Sequence, residues 1–332
     1  MKREIFLRIT DFVQSRRLLE KRDRLLIGVS GGPDSVFLLY YLSSLRSSYK
    51  LNLLVAHFNH ALRPEADEEE GFVKKLSQRL GLHFVSEKRN VAKLYQGDSW
   101  ENIARKLRFD FFLKLCRHYR IKKIALAHHK DDLVETVLLN LIRGTGLLGL
   151  RGIMPLSPYQ KIAIIRPLLF LEKKEILSYL KRNEIKFRLD SSNQEEKFLR
   201  NKIRLKLLPL LRQYNPAIKD NLYHLARIVS ADYDFLVSQA EKAAVSLQMP
   251  APGGLRLKLE GLTKLPPALL FLVLRLSIEK VKGHLRRLEL RHLEKIKDLI
   301  FNSSSATVLD IPGLKIIKEE KALYLKYLSS SL

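Results

Sequence analysis

The sequence predicts an α/β fold, with a parallel doubly wound sheet followed by a mainly helical C-terminal domain that contains a small β element. Short apolar runs alternate with helical patterns about thirty residues apart, which is typical of βαβ units. Polar clusters follow three of the runs, at Ser30, His57 and His128. From Pro216 long helical patterns replace the alternation, and no glycine occurs until Gly253. We therefore expect two domains, residues 1–215 and 216–332.

The first predicted strand leads into a loop suited to binding an anion. Leu25–Val29 is a continuous apolar run, which predicts a buried strand. Ser30–Ser35, Ser-Gly-Gly-Pro-Asp-Ser, then predicts a tight turn and a helix start, because proline is well tolerated in a first helical turn. Such a helix N-terminus presents backbone N–H groups to phosphate. An ordinary strand–helix turn made of small residues is the alternative.

The loop is not a Walker A motif, because no Lys-Ser/Thr pair follows its second glycine. Asp34 stands at its mouth instead. A carboxylate beside phosphates requires a bridging cation, so the loop predicts a nucleotide together with Mg²⁺.

The remaining elements follow from apolar periodicity and from helix start and stop signals. In the first domain, strands are expected at 51–57, 82–86, 123–127 and 161–165. Helices are expected at 4–20, from 64, at 99–119, after 128, at 172–182 and at 198–211. In the second domain, long helices are followed by strands at 255–259, 306–309, 314–317 and 322–327, with helices at 266–281 and 286–300 between them.

The polar clusters are expected at one edge of the sheet. Ligands of open parallel sheets bind beyond the carboxyl ends of the strands, and Ser30, His57 and His128 each stand at a predicted carboxyl end. His57–Arg63 is a second polar cluster at this edge.

An acidic cluster follows His128. Asp132 and Glu135 are three residues apart and share a helix face with His128. The cluster predicts either a metal site or a pocket for a cationic substrate. The alternative is a polar first turn, in which the helix dipole favours acidic residues.

The charge of the chain favours a polyanionic partner. Sixty Lys and Arg residues against 35 Asp and Glu residues give a formal charge of +25. Aromatic residues make up only 8%, so phosphate contacts should outweigh base stacking. Arg105 and Arg108 could reach a phosphate or a base edge, and a solvated helix face is their alternative. Basic residues that could follow a nucleic-acid backbone, or form a solvated surface, are Arg200, Lys202, Arg204 and Lys206.

The single cysteine, Cys116, excludes a disulfide, zinc or iron–sulfur framework, and its apolar surroundings predict a buried thiol. No signal peptide and no apolar run of membrane-spanning length is visible. We therefore expect a cytoplasmic protein that does not interact with membranes.

The Ser30–Ser35 loop resembles the SGGxDS loop of the PP-loop ATP pyrophosphatases, which cleave ATP between its α and β phosphates. More of the chain, about residues 20–215, resembles the tRNA(Ile)-lysidine synthetases of that Rossmann-like family. The segments that carry this likeness, in the family's order, are Ser30–Ser35, His57–Arg63, Ala104–Arg108, His128–Thr136, Arg143–Gly146, Arg166–Leu169, Asp190–Asn193 and Arg200–Leu211. Residues 216–332 are similar to the family's first C-terminal domain only in length and helical character.

The resemblance implies a two-step reaction. ATP adenylates O2 of the wobble cytidine in tRNA(Ile) with a CAU anticodon, and free L-lysine then displaces AMP from C2 through its side-chain amine. Lysidine, AMP and pyrophosphate are the products.

The resemblance also implies residue roles. ATP would be held by Ser30, Gly31, Gly32, Pro33, Asp34, Ser35 and His57, with Asp34 on Mg²⁺. The residues with catalytic roles would be Asp34, Arg108, His128, Asp132 and Glu135. Lysine would bind to Asp132, Glu135 and Arg200. The C-terminal domain would bind tRNA, together with Arg63, Arg105, Arg200, Lys202, Arg204 and Lys206.

Three other functions compete with this one: a PP-loop tRNA thiolase, a synthetase of small-molecule amides, and a basic tRNA-binding module without activity. Paired cysteines are generally needed by sulfur-relaying thiolases, and the +25 charge argues against a small-metabolite enzyme. The sequence leaves the oligomeric state open, a homodimer included.

Overall fold

The computed structural model describes residues 2–61, 65–90, 100–188 and 199–327. The chain forms two compact units, Met1–Arg227 and Ile228–Leu332. Helix α11, Ile218–Leu247, runs across the division between them. The sequence-based boundary after residue 215 falls just before this helix, and it stays a prediction.

The first unit contains a six-stranded sheet in the order β3-β2-β1-β4-β6-β5. The strands are β1 (Arg24–Gly28), β2 (Asn52–Asn59), β3 (His83–Lys88), β4 (Lys123–Ala125), β5 (Leu156–Tyr159) and β6 (Ile162–Ile165). All neighbouring pairs are parallel except β5 with β6. The predicted α/β class and parallel sheet are therefore confirmed.

Helices cover both faces of this sheet. Successive residues of a strand point to opposite sides, so the apolar strands present a hydrophobic surface on each face. Leu25 and Ile27 of β1 join one apolar core, whereas Leu26 joins the other. The helices of the first core are α1 (Lys2–Ser15), α2 (Pro33–Ser44), α4 (Ala66–Arg79) and α8 (Lys173–Arg182). The second core is covered by α5 (Trp100–His118), which buries Cys116.

The other elements of the first unit are short or lie beyond the sheet. They are α3 (Arg46–Tyr49), α6 (Lys130–Ile142), α7 (Leu147–Leu150), α9 (Leu199–Lys202), a π-helix (Ile203–Leu207) and α10 (Leu208–Tyr214). Three sequence-based expectations need correction here. The first concerns α1, which ends at Ser15 and not at 20, because Arg17 takes a positive φ of 50° and the N–H of Leu18 returns to the carbonyl of Val13.

The second correction is strand β5, which the sequence did not predict, since the hairpin with β6 is short and contains Pro158. The third is the helix expected at 198–211, which is interrupted by the π-helix just before Pro209. A proline lacks the N–H for an ordinary helical bond, and such a residue often marks a break in the regular ladder.

The second unit combines helices with a five-stranded antiparallel sheet in the order β7-β8-β11-β10-β9. Its strands are β7 (Gln248–Met249), β8 (Gly254–Lys258), β9 (Val308–Ile311), β10 (Leu314–Lys318) and β11 (Ala322–Tyr327). Helices α12 (Leu259–Thr263), α13 (Pro267–Lys282) and α14 (Leu290–Asn302) pack their apolar faces on it. The predicted helical module with a small β element is confirmed.

Within the described ranges, no helix combines the length and the apolar character needed to cross a membrane.

Candidate active site

The loop between β1 and α2 holds its shape through two features. Ser35 Oγ accepts a hydrogen bond from the N–H of Ser30 at 3.2 Å and donates one to the carbonyl of Gly32 at 2.9 Å. Gly31 has a φ of +97°, a conformation that glycine adopts without strain. Gly32 is the N-cap of α2 and offers no side chain to its first-turn N–H groups. The loop thus presents backbone donors toward a ligand.

A cavity of about 380 Å³ lies at the carboxyl ends of β1, β2 and β4. It brings together the three predicted polar clusters, through Ser30, His57 and His128, and adds Arg108 from α5. Phe112 and Leu126 give it an apolar floor. The mixture of an apolar floor, a phosphate-type loop and polar side chains suits a nucleoside with its phosphates.

His57 is a fixed, neutral part of this cavity. Its Nδ1 lies 2.9 Å from the carbonyl oxygen of Val29, which can only accept a hydrogen bond, so Nδ1 carries the proton. Burial lowers the pKa of His57, against the weaker effects of that hydrogen bond and of Glu70.

A second cavity, of about 840 Å³, lies on the other side of the loop. Ser30, Gly32 and Asp34 line both cavities. The rest of the wall of this second cavity carries acidic and basic side chains. The acidic residues are Asp131, Asp132, Glu135 and Glu172, and the basic residues are His129, Lys173, Lys174, Arg204, Arg212 and Lys219.

Asp34 stands in the wall between the two cavities. Its Oδ2 lies 3.6 Å from His129 Nε2 and 3.6 Å from Lys173 Nζ. Its Oδ1 is buried and accepts no hydrogen bond from the part of the chain that is described. A buried carboxylate oxygen without a donor beside a phosphate-type loop fits a hard cation such as Mg²⁺.

His129 connects Asp34 to the acidic cluster. Its Nε2 lies 3.5 Å from Asp132 Oδ2, and its Nδ1 lies 3.5 Å from Asp131 Oδ2. Burial opposes a charge on the ring, but Asp34, Asp132 and Asp131 outweigh it and raise the pKa of His129. Burial also opposes the charge of Asp132, and His129, His128 and Arg200 overcome it and lower that pKa. The two groups therefore stabilise each other's charged forms.

Two arginines occupy much of the acidic cluster. Arg204 forms a bidentate pair with Glu135, with Nε to Oε1 at 2.6 Å and Nη2 to Oε2 at 2.9 Å. Arg200 donates from Nε to Glu135 Oε2 at 2.9 Å and from Nη2 to Asp132 Oδ1 at 3.1 Å. Glu135 keeps 2% of its side chain exposed and Asp132 keeps 17%, so Asp132 is the more accessible carboxylate.

The first turns of α6 and α11 are joined by two crossed ion pairs. Lys130 binds Asp220, and Asp131 binds Lys219. Asp131 also accepts the backbone N–H of Lys173 at 3.0 Å, which ties the start of α8 to the same point. Three helix starts thus meet at the acidic cluster.

His128 lies in a strongly basic surrounding. Burial lowers its pKa, Asp132 opposes this, and Arg166, Arg108 and Arg200 reinforce it. Arg166 is buried and donates from Nη1 to the carbonyl of Met154 at 2.7 Å and to Ser157 Oγ at 2.8 Å. Burial and the nearby Arg105 lower the pKa of Arg166 to about 10.

The remaining predicted residues are spread over the surface of the first unit. Arg105, Lys202 and Lys206 are exposed, and Arg105 lies 5.4 Å from the ring centroid of Phe109. Arg63 and the Asp190–Asn193 turn lie outside the described residues. The roles predicted for these side chains stay predictions.

Sequence reasoning missed four residues that the site brings together, His129, Asp131, Lys173 and Lys219. His129 and Asp131 stand beside predicted residues in the same segment, so proximity in sequence was an available signal. Lys173 and Lys219 come from two other helices, α8 and α11, and no local pattern distinguishes them from the other lysines of the chain.

Comparison with known proteins identifies the family. Residues 1–211 match the model of the PP-loop domain. A tRNA(Ile)-lysidine synthase from Petrotoga mobilis is 37% identical over 224 residues, which are 67% of this chain and 71% of that protein. The chain belongs to the PP-loop family, in its tRNA(Ile)-lysidine synthase branch.

Other relatives agree with this PP-loop assignment. A tRNA(Ile)-lysidine synthase from Clostridioides difficile is 33% identical over 313 residues, 93% of this chain and 67% of that protein. The matched region covers 62% of a relative from Clostridium perfringens, so the chain spans between three fifths and three quarters of the length of these three relatives. Among solved structures, the U34-tRNA thiolase NcsA from Methanococcus maripaludis has a TM-score of 0.57 at 16% identity, covering 69% of this chain and 79% of that one. That likeness concerns the fold alone.

The lowered pKa of His128 makes the protein sensitive to acid. Below pH about 6.5 the unfolded chain takes up a proton at residue 128 before the folded protein does, so stability falls with pH by up to about 1.4 kcal/mol per unit. We expect His128→Gln to lose less stability than the wild type between about pH 7.5 and about pH 5.5 in urea unfolding. An equal loss in both proteins would show that His128 does not titrate in this way.

Proposed function

We propose that this protein is a tRNA(Ile)-lysidine synthase, a ligase that forms a carbon–nitrogen bond. It would use ATP to adenylate O2 of the wobble cytidine of tRNA(Ile) with a CAU anticodon. The side-chain amine of free L-lysine would then attack C2 and release AMP. The family assignment and the names of the curated relatives support this proposal.

One structural observation carries the proposal. Asp34 of the phosphate-type loop and Asp132 of the acidic cluster face the same atom, Nε2 of His129, at 3.6 and 3.5 Å. A nucleotide on the loop and an amine at Asp132 would therefore be neighbours across one imidazole ring. Such proximity is what a two-step transfer at one centre requires.

The ATP half of the site corresponds to the loop and to the 380 Å³ cavity. Ser30, Gly31, Gly32, Pro33, Asp34 and Ser35 would hold the phosphates, and His57 would border the nucleoside. Mg²⁺ bound at Asp34 would neutralise phosphate charge. Arg108 and His128 line this cavity and would stabilise charge on the activated cytidine, where one preorganised donor is worth roughly 2.7–4 kcal/mol.

The amine half depends on which carboxylate oxygens remain available. Each carboxylate oxygen accepts about two hydrogen bonds. Glu135 Oε2 already accepts one from Arg200 and one from Arg204, and its Oε1 accepts another from Arg204. Among the described residues, each oxygen of Asp132 accepts one side-chain or backbone donor at hydrogen-bonding distance, and the Asp132 side chain is also more exposed, 17% against 2%. We therefore assign the direct ammonium contact to Asp132, and assign Glu135 the task of holding the two arginines.

The lowered pKa of Asp132 fits this assignment. A strongly acidic carboxylate binds an ammonium group well but is a weak proton acceptor. Because an ammonium group cannot attack until it loses a proton, the amine must transfer that proton elsewhere during the second step.

The tRNA half corresponds to the basic surface. Arg63, Arg105, Arg200, Lys202, Arg204, Lys206 and the second unit are the proposed contacts, and the +25 charge supports them. Arg200 and Arg204 are engaged with Asp132 and Glu135, so the outward contact with RNA falls first to Lys202 and Lys206. A homodimer and a cytoplasmic location remain part of this proposal.

A thiolase activity does not fit the cysteine content. The chain has one cysteine, Cys116, which is 3% exposed, and burial raises the pKa of its thiol to about 12. A protonated, buried thiol cannot relay sulfur, because the thiolate is the reactive form.

Transfer of labelled lysine tests the proposed function directly. With ATP and Mg²⁺, we expect radiolabelled lysine to become attached to a transcript of tRNA(Ile) with a CAU anticodon. A transcript with a UAU anticodon, which lacks the target cytidine, is the matched control. Absence of label from the CAU transcript with folded protein would overturn the proposal. Label on both transcripts would show that the wobble cytidine is not the base that is modified.

The role of Asp132 predicts a selective loss. Asp132→Asn keeps the shape of the side chain but removes a charged acceptor, which is worth about 1.5–3 kcal/mol. We expect the KM for lysine to rise about tenfold to a hundredfold while the affinity for ATP changes little. Steady-state kinetics and ATP titration measure the two effects.

Glu172→Gln is the matched control, because Glu172 lines the same cavity but pairs with Lys174. If Glu172→Gln raised the KM for lysine more than Asp132→Asn did, the amine would bind at Glu172 and not at Asp132. Equal losses of lysine and ATP affinity in Asp132→Asn would remove its assigned role.

The outward basic residues predict a change in salt dependence. Replacing both Lys202 and Lys206 with alanine should weaken tRNA binding and reduce the slope of log Kd against log salt by about one unit per lost contact. Replacing Lys21 and Lys50, which are exposed elsewhere on the first unit, is the control. An unchanged slope in the first variant would exclude these lysines as phosphate contacts.

A further inference from the structure

We propose that Lys173 is a phosphate ligand of the active site, which holds the pyrophosphate end of ATP against the Ser30–Ser35 loop and stabilises pyrophosphate as it leaves. This inference rests on the ATP half of the proposed function. It assigns a direct role to a residue that no sequence pattern singled out.

The position of Lys173 is fixed by the protein backbone. It is the first residue of α8, and its backbone N–H donates to Asp131 Oδ2 at 3.0 Å. Asp131 belongs to the first turn of α6, next to Asp132. The backbone at residue 173 is thereby held beside the acidic cluster, while the side chain reaches toward the loop.

The side chain of Lys173 faces the loop without being fully engaged there. Its Nζ lies 3.6 Å from Asp34 Oδ2, longer than the 2.7–2.9 Å typical of a charge-assisted hydrogen bond. The side chain is 41% exposed and lines the 840 Å³ cavity together with Ser30, Gly32 and Asp34. The Nζ atom is therefore not held by a close hydrogen bond to Asp34, and it lies in the cavity that adjoins the loop.

The other lysines of this cavity are already engaged. Lys174 donates to Glu172 at 2.9 Å, and Lys219 forms a close ion pair with Asp131. Considering only the residues that the structure describes, Lys173 alone of the three has no carboxylate within hydrogen-bonding distance. It is therefore the lysine whose charge is most available to a ligand.

The chemistry of the first step needs such a charge. O2 of the cytidine forms a bond to the α phosphorus, and the bond from that phosphorus to the bridging oxygen breaks. The electron pair of the broken bond leaves with pyrophosphate. Negative charge therefore builds up at the β phosphate, and a lysine ammonium directed at that end stabilises it. Lysine serves this purpose as a compact point charge.

Binding of the parts of ATP separates this role from a structural one. Calorimetric titrations with pyrophosphate, AMP and the unreactive ATP analogue AMPCPP, each with Mg²⁺, would be compared among variants. We expect Lys173→Ala to weaken pyrophosphate and AMPCPP binding about tenfold to a hundredfold and to leave AMP within about twofold. Lys173→Arg should recover most of the lost affinity, because it restores the charge.

Lys174→Ala is the matched control, since Lys174 is adjacent, lines the same cavity and is 78% exposed. Lys174→Ala should leave the affinities for pyrophosphate and for AMPCPP within about twofold of the wild type. Equal weakening of AMP and pyrophosphate by Lys173→Ala would indicate a general distortion, and no weakening would mean that Lys173 serves only Asp34. Either result overturns the inference.

These titrations require neither lysine nor tRNA. If no lysidine forms while Lys173→Ala still loses pyrophosphate selectively, the proposed function fails and the phosphate role stands. If lysidine forms and pyrophosphate binding is unchanged in Lys173→Ala, the proposed function stands and the phosphate role of Lys173 fails.

Discussion

The active site depends on a buried imidazole that faces carboxylates from two parts of the chain. His129 lies within 3.6 Å of Asp34, Asp131 and Asp132, and it can stay charged in that position only because they surround it. Conversely, a protonated ring keeps Asp34 and Asp132 from repelling each other across a short gap. The arrangement allows the Ser30–Ser35 loop and the acidic cluster to share one wall. Without it, either the loop carboxylate or the acidic cluster would have to lie farther away.

The order of the strands makes this meeting unavoidable. β1 pairs with β2 on one side and with β4 on the other. The chain adds β2 and β3 on one side of β1 and then returns to add β4 on the other side, so the boundary between β1 and β4 is where the strand order reverses. The loop after β1 carries Asp34 and the segment after β4 carries His128 and His129, and both lie above this crevice. Ligands of open α/β sheets bind at such a switch point. Two stretches about a hundred residues apart thereby form one site, by a rule of the fold.

Sequence patterns predicted the parallel sheet, its polar edge and most helices, because burial imposes apolar periodicity on strands and helices. They did not predict β5, which is short, contains Pro158 and pairs only with β6 at the sheet edge. They also overran the end of α1, where Arg17 adopts a positive φ that no local glycine signalled. Within the site, the contacts of Lys173 with Asp34 and of Arg204 with Glu135 join residues with no shared periodicity. Such pairs are set by tertiary packing, so a single sequence cannot reveal them.

The basic segment after residue 198 connects the site to the surface. Arg200 and Arg204 are four residues apart and therefore share one helix face, whereas Lys202 and Lys206 lie on nearly the opposite face. The first pair turns inward, because the buried carboxylate of Glu135 would be costly without a cationic partner, roughly 3–5 kcal/mol if one were removed. The second pair remains exposed. The basic residues of this short segment thus divide into two pairs. The inner pair, Arg200 and Arg204, completes the acidic cluster, and the outer pair, Lys202 and Lys206, faces solvent.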